Sequence, residues 1–499
     1  MSKPLEALQF DNTYAQLPES FYQVVFPTPF QESRVVAFSA SCADLIDLDP
    51  AENTKPEFSA RLSGALPLPG SWPIAQVYAG HQFGNLVPRL GDGRAILLGE
   101  ACGSRPHVWN RYRGLSGRKW DLHLKGAGPT NFSRGFDGRA VLRSCIREYL
   151  ASEFLEALGI PTTRALAVLG SRDPVFRETP EPGAMVVRVA PSHIRFGTFE
   201  YFYYQQQFHH LKELADFTLS HYFPDQEKAE APYAELCREV VIRTAQLIAH
   251  WQAFGFTHGV MNTDNFSILG ITLDYGPYGF LESFDPGHVS NHSDEHGMYA
   301  FGNQPQVGWF NLQCLIRALS PLLKREQAQA ALEEYEPAMA GCYLGLMADK
   351  LGFLKRREED ERLIGSLLEA LPGTDYTLFF RRLANFNSDS STLDLSFLDG
   401  ISDSPERLRP WLEQYRTRII DEALDPTQRR VHMNRVNPKF ILRNHLAQLA
   451  IERSEGGDDT ELHRLATVLS RPFEEQPGQE FYSLPAPAGT KKCVISCSS

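Results

Sequence analysis

The sequence predicts an α+β protein in two parts, with a β-rich segment carrying one long helix over residues 1–190 and a helical segment over 191–480 that ends in extra helices. A short Cys-containing tail, flexible by composition, follows over 481–499. Three observations carry this reading. Short apolar runs punctuated by glycine dominate the first part, one strong 3.6-residue apolar period interrupts them, and such periods take over after residue 190. At 499 residues the chain is also too long for one compact core.

Residues 1–75 mix apolar runs with prolines, and Val35 to Asp49 reads as a strand running into a short helix, with no chemistry assigned. From Gln76 to Leu90 the pattern is β-like with Gly80 and Gly84, and Gly91-Asp92-Gly93 reads as a hairpin turn. Ala95 to Leu98 is a strand. Trp120 to Lys125 alternates, with Trp120, Leu122 and Leu124 on one face and Asp121, His123 and Lys125 on the other. Asp137 is placed to cap a helix whose apolar stripe runs from Val141 to Leu158 before Gly159 and Pro161 stop it. Strands follow at Leu166–Leu169 and Ala184–Ala190. Helical periods then cover Phe199–Tyr222, Val240–Phe254, Leu312–Leu323, Gln327–Gly352 and Asp360–Leu371. His258 to Asp285 interrupts them as short strands and loops, and Glu474 to Ser499 reads as a mobile tail.

Composition narrows the function classes. Hydrophobic residues at 42% and charged residues at 22% describe a globular chain, and a net charge of −12 argues against nucleic acid as a partner. There is no run of the ~20 apolar residues that a membrane span needs, and the N-terminus lacks a secretory signal, so the cytoplasm is the expected location and no membrane partner is expected. Six of the eight cysteines are isolated and read as small buried apolar residues in a reducing compartment; Cys493 and Cys497 sit in the polar tail.

Two constellations point to phosphate chemistry. In the first, Gly91, Gly93 and Arg94 precede Lys125 on a strand and Glu148 on the next helix. Glycines let backbone approach phosphate oxygens, a strand lysine reaches them, and a helix glutamate holds the lysine, the arrangement that protein kinases use. In the second, His258-Gly259-Val260-Met261-Asn262-Thr263-Asp264-Asn265 is followed by Asp274-Tyr275-Gly276. Asn265 and Asp274 can supply hard oxygen ligands to Mg²⁺ from the two ends of a short hairpin over Phe266 to Leu273. Val260 stands where kinases carry the catalytic Asp, and Asp264 is the nearest carboxylate that could replace it as base. Arg188 and Arg195, with Lys125 and Arg94, would form a basic cradle inside an acidic protein.

These residues together resemble the selenoprotein O family of kinase-like proteins. The resemblance rests on GDGR at 91–94, HLKGAGPT at 123–130, RAVLRSCIREYLASE at 139–153, RVAPSHIRFGTFE at 188–200, HGVMNTDN at 258–265, LDYGP at 273–277, NHSDEHG at 291–297 and the terminal Cys497-Ser498-Ser499. It implies a bilobal protein-kinase-like fold that binds ATP in a flipped orientation and transfers AMP to Ser, Thr or Tyr hydroxyls of protein substrates, releasing pyrophosphate; some bacterial members use UTP to transfer UMP. By matching motifs, Asp264 is the expected base, and Asn265 and Asp274 the Mg²⁺ or Mn²⁺ ligands. Gly91, Gly93, Arg94, Lys125, Asp137, Gly138, Arg188, Arg195 and Asp274 are the expected nucleotide contacts, with Glu148 pairing Lys125. The family's redox association makes Cys497 and Cys493 redox candidates.

His288, His292 and His296 with Asp294 have a metal-like spacing, but Pro286, Gly287 and Gly297 make a structural loop the expected outcome. Two other functions compete with AMP transfer: a kinase that moves the γ-phosphate with Asp264 as base, and an idle ATP-binding module regulated through its redox tail. The missing Asp at 260 weighs against the first, and the complete lysine, glutamate and metal set against the second.

Overall fold

The computed structural model describes residues 2–104, 118–387, 392–422, 425–487, 489–490 and 495. Its strands are β1 (Tyr22–Val24), β2 (Arg34–Phe38), β3 (Ile74–Gln76), β4 (Gly80–Gln82), β5 (Asn85–Val87), β6 (Ala95–Cys102), β7 (Lys119–Lys125), β8 (Ala140–Val141), β9 (Arg164–Phe176), β10 (Pro180–Ala190), β11 (Phe256–Thr257) and β12 (Gly279–Phe280). An eight-stranded antiparallel sheet runs β1-β3-β6-β7-β10-β9-β2, with β8 beside β10. Central β7 pairs with β6 (Ala95 opposite Lys125) and with β10 (Val186 opposite Lys125). The period-2 pattern of Trp120 to Lys125 thus belongs to a strand with neighbours on both sides, and both of its faces are covered.

On one face Ile96, Leu98, Trp120, Leu122, Leu124, Met185, Val187 and Val189 pack against Leu5, Leu8, Ile46, Phe58 and Leu62. The segments around Leu5–Leu8 and Ile46–Leu62 therefore act as a layer over the back of the sheet, while Tyr22–Val24, Arg34–Phe38 and Ile74–Gln76 are strands within it. Each large side chain buried there contributes roughly 1.5–3 kcal/mol before entropy is subtracted. The other face carries Asp121, His123 and Lys125, all buried. Helix Leu142–Ala157 lies across it, and its Cys145, Ile146, Leu150 and Phe154 join a core that continues into the helical part through Phe199, Leu247, Ile248 and Trp251.

Helices Asn444–Glu455 and Thr460–Leu469 return to that same core through Leu446, Ala450, Leu462 and Leu465. His463 Nε2 lies 2.8 Å from the carbonyl of Val36 in β2. A separate core around Met347, Leu351, Phe379, Trp411 and Tyr415 holds helices Tyr335–Leu351, Tyr376–Leu383 and Arg409–Ile420 together. The mixed architecture, an antiparallel sheet followed by helices, is the one expected from the sequence. Among the described residues no helix is long and apolar enough to cross a membrane.

Several local expectations are corrected. The single helix expected over Phe199–Tyr222 is two, Phe196–Tyr204 and Phe208–Tyr222, because Gln206 takes a left-handed conformation with φ of 57°. Gln327–Gly352 is also two helices, Arg325–Glu333 and Tyr335–Leu351. Pro337 has no N–H for the carbonyl four residues back, so the ladder breaks there. Gly91-Asp92-Gly93 is not the tip of a two-strand hairpin: β4 and β5 intervene between the pairing strands β3 and β6, and the triplet leads into β6. Helix 142–157 starts at Leu142, so Asp137 is not its cap; its carboxylate accepts from the Arg139 N–H at 2.9 Å and pairs with Arg177 at 2.8 Å. The segment after Glu474 is fastened, not mobile, over its first part: Glu475 pairs with Arg381 and Lys439, each at 2.6 Å, and Tyr482 is buried.

Candidate active site

Lys125 at the end of β7 and Glu148 on helix Leu142–Ala157 meet at 2.5 Å. Strand and helix are adjacent in the chain, and the helix crosses the sheet where β7 ends, which is why the pair forms. Arg188 of β10, next to β7, joins them: its Nε donates to Glu148 Oε1 and its Nη2 to Oε2 at 3.1 Å. Burial alone would raise the Glu148 carboxyl, but the Arg188 and Lys125 cations outweigh it and hold the group below the usual carboxylate range. Burial also lowers Lys125, with Glu148 opposing. Removing one member of such a buried cluster leaves an uncompensated charge, which costs about 3–5 kcal/mol.

The second constellation is built on helix Pro232–Phe254 and the loop that follows. Gly255 ends the helix at φ 69°, a left-handed turn that glycine adopts without strain. His258 packs 5.3 Å from the Trp251 ring, and its Nε2 lies 3.0 Å from the Leu273 carbonyl. Its Nδ1 faces the Val260 N–H at 3.4 Å, so the network assigns the neutral tautomer with the proton on Nε2. Burial lowers its pKa, consistent with that neutral form. His258 therefore pins the residue before Asp274 and does not act as a base. The expected hairpin is present: Phe266 and Thr272 bridge antiparallel, and Trp251 Nε1 donates to Thr272 Oγ1 at 3.0 Å.

Asp274 closes the line. Arg188 Nη2 lies 2.7 Å from its Oδ1, and Arg195 Nη1 donates to its Oδ2. Burial would raise this carboxyl, yet Arg195, Arg188 and Lys125 hold it well below the ordinary value. Its φ of 60° is left-handed, a conformation Asp tolerates better than most residues. Arg195 also donates to the Asp264 carbonyl at 2.7 Å, so one guanidinium joins both acidic segments.

Asp264 behaves differently. Burial pushes its carboxyl up to about 7, against the pull of Arg195 and of Gln82, whose Nε2 donates to Oδ2 at 3.3 Å. Its Oδ1 is buried without a hydrogen-bond partner among the described residues. Gly80 in β4 makes room for this carboxylate: a Cβ there would overlap Oδ1 and stand 2.8 Å from the Asp264 Cβ. The sequence gives Gly80 and Gln82 no site role, only a place in a β-like stretch, and the signal available is the glycine at 80 itself. Gly80→Ala is therefore expected to displace the Asp264 carboxylate and lower activity by roughly 10²-fold. Thermal unfolding and steady-state kinetics on the same preparation check this: the transition should stay close to wild type while the rate falls.

The remaining expected nucleotide residues divide. The Arg94 carbonyl accepts from the Gly126 N–H at 2.7 Å beside Lys125, with the Arg94 side chain exposed. Gly91 and Gly93 have a packing reason to be glycine: a Cβ at Gly91 would overlap the Phe132 ring, and one at Gly93 would stand 2.8 Å from the Phe132 carbonyl. Gly138, at φ 64°, packs so closely that a Cβ would meet Pro129 N at 2.6 Å. Asp137 and Gly138 thus belong to the 126–141 loop beside the cluster, away from the Asp274 carboxylate's direct partners. The His-rich segment is a loop, as expected, in which Asp294 accepts from the Met298 and Tyr299 N–H groups at 2.9 and 2.8 Å. Cys493 and Cys497 lie outside the described residues.

A divalent cation fits the acidic segments. Asn265 Nδ2 donates to the Val260 carbonyl at 3.0 Å, leaving its Oδ1 without a partner among the described residues. Asn265 Oδ1 and the Asp274 carboxylate offer hard oxygen donors of the kind Mg²⁺ and Mn²⁺ prefer.

Comparison with known proteins gives the family. A family model described as Protein adenylyltransferase SelO matches residues 4–470. Among curated relatives, the protein nucleotidyltransferase YdiU of Myxococcus xanthus is 51% identical over 497 residues, 99% of each chain. Those of Thioalkalivibrio sulfidiphilus and Pseudomonas aeruginosa (strain LESB58) are 49% identical, covering 99% and 100% of each chain.

Proposed function

The chain belongs to the SelO family of protein adenylyltransferases, and from that premise we propose that it moves the AMP part of ATP onto Ser, Thr or Tyr hydroxyls of other proteins, with release of pyrophosphate. The observation that carries the residue assignment is the line Lys125–Glu148–Arg188–Asp274–Arg195, buried except at the half-buried Asp274, which sets three cations against two carboxylates beside an Asp264 oxygen unpartnered among the described residues.

In this reading Lys125, Arg188 and Arg195 take the β- and γ-phosphate oxygens, with Glu148 holding Lys125 and Arg188 in place. Gly91, Gly93, Arg94, Asp137 and Gly138 border the nucleotide. The end of ATP that kinases transfer is thereby neutralised and held, and the α-phosphorus is turned toward Asp264. Asp264 accepts the proton of the incoming hydroxyl, the oxygen attacks the α-phosphorus, and the bond to the pyrophosphate oxygen breaks. Asn265 and Asp274 would hold Mg²⁺ or Mn²⁺, which supplies neutralisation of phosphate charge. Val260 has no group that could serve as base. ATP as co-substrate, together with the buried free thiols of Cys42, Cys145 and Cys237, supports a cytoplasmic setting, and the acidic chain supports protein, not nucleic acid, as acceptor.

The test is incubation with Mg²⁺ or Mn²⁺ and ATP labelled at the α- or the γ-phosphate, with α-labelled UTP run beside it. Incorporation of α-label alone is expected. Incorporation of γ-label would make the protein a kinase with a displaced base, and incorporation of neither label from any nucleotide would leave an ATP-binding module.

A further inference from the structure

A second cluster lies against the 258–265 loop, which it contacts through Thr263. His81 of β4, Glu200 of helix Phe196–Tyr204 and Cys314 of helix Gln304–Leu319 each place a ligand atom within 4.8 Å of the others. Among the described residues no other group of three His, Cys, Asp or Glu side chains is so arranged. His81 Nδ1 lies 2.6 Å from Glu200 Oε1. The other Glu200 oxygen accepts from the Thr263 hydroxyl, which in turn accepts from the His81 N–H at 2.7 Å. Thr263 is the residue before Asp264, so the cluster braces the catalytic loop.

We propose that His81, Glu200 and Cys314 form a site for a thiophilic divalent cation, Zn²⁺, distinct from the oxygen set at Asn265 and Asp274. The donor chemistry selects the ion: imidazole, thiolate and carboxylate together suit Zn²⁺, whereas Mg²⁺ and Mn²⁺ favour the all-oxygen set. Charge fits as well. Glu200 is fully buried and Cys314 nearly so, and one carboxylate plus one thiolate make −2, which Zn²⁺ brings to zero. On binding, the ion replaces the proton shared by His81 and Glu200 and the proton of the Cys314 thiol, and both leave to solvent. The His81–Glu200 separation must open by about 0.7 Å to admit ordinary Zn–N and Zn–O bonds. The His81 side chain is 11% exposed, which gives the ion an approach and leaves room for water as fourth ligand. Glu200 keeps its second oxygen for Thr263, so the metal would clamp β4 and the two helices together without releasing the loop.

The experiment uses the full chain stripped of metal, in a Cys493→Ser, Cys497→Ser background so that tail thiols contribute nothing. Zn²⁺ is titrated in competition with a chromophoric chelator, and Co²⁺ is used as a spectroscopic stand-in. The expected result is one equivalent of Zn²⁺, a Co²⁺ spectrum with a thiolate charge-transfer band, and a zinc-dependent rise in the thermal transition. All three should persist in Asp274→Ala, which removes the oxygen site. Cys314→Ser, and Cys314→Ala as a second variant, should abolish the band and weaken Zn²⁺ binding by more than ~10-fold while circular dichroism stays native. Equal Zn²⁺ affinity in wild type and the Cys314 variants, or a Co²⁺ complex without a Cys314-dependent band, would overturn the proposal.

Discussion

Asp274→Ala should abolish nucleotide transfer, by roughly 10³-fold or more, while nucleotide binding survives. The expectation comes from charge counting in the buried cluster. Lys125, Arg188 and Arg195 contribute +3, and Glu148 and Asp274 contribute −2, a balance of +1. Removing Asp274 raises it to +2, which attracts a polyphosphate more strongly, not less. The variant loses the carboxylate proposed to hold the metal, and with it the neutralisation expected of that metal, without losing the cationic cradle. Alanine at φ 60° also costs about 1–2 kcal/mol of backbone strain. Asp274→Asn avoids most of that strain, since Asn tolerates the left-handed region, and should lose activity to a similar degree. Equilibrium binding of a fluorescent ATP analogue, read beside α-label incorporation, separates the two effects. A folded Asp274→Asn protein that transfers label at the wild-type rate would remove Asp274 from the mechanism. One that no longer binds nucleotide would mean that the cations need Asp274 to hold their positions.

How much of this was legible in the sequence follows from chain distance. Lys125 and Glu148 were readable because a strand, a loop and a helix place them with little left to chance. Asn265 and Asp274 were readable because a hairpin of eight residues can only bring its ends together. Arg188 and Arg195 were recognised as a pair suited to phosphate, but their grip on Glu148 and Asp274 depends on β10 lying beside β7, which no local pattern encodes. The contact of Gly80 and Gln82 with Asp264 joins residues more than 180 positions apart and had no periodic signal at all. The glycines at 91 and 93 read as phosphate-approach positions, and the resemblance puts Gly138 at the nucleotide, whereas the clearest constraint on each is close packing against Phe132 or the 128–129 backbone. The role of the segments around Leu5–Leu8 and Ile46–Leu62 as a back layer is hidden for the same reason: Leu5, Ile46 and Phe58 are apolar in sequence, but only the sheet shows what they cover.

Asp264→Asn provides the sharpest test of the catalytic assignment, because it changes both the rate and its pH dependence. Burial raises the Asp264 carboxyl from the ordinary carboxylate value to about 7 in the nucleotide-free protein. A base must be ionised to accept a proton, so the active fraction falls as pH drops through that value and is complete above it. The profile of kcat/KM, which reports the free enzyme, should therefore lose tenfold per pH unit below about 7 and level off above it. Asparagine has the same shape and can still accept from Gln82, so the fold should persist. It cannot take a proton, and the rate should fall by roughly 10²–10⁴-fold with the acidic limb gone. Gln82→Leu offers an independent check. The Gln82 hydrogen bond favours the ionised carboxylate, so its loss should move the acidic limb to higher pH while leaving the plateau rate within a few-fold of wild type. If Asp264 only shaped the loop, the isosteric asparagine would leave both rate and profile unchanged. The proton would then have to leave by another group, and among the carboxylates of this site only Asp274 and Glu148 remain, both held ionised too firmly by arginine to act as bases near neutral pH.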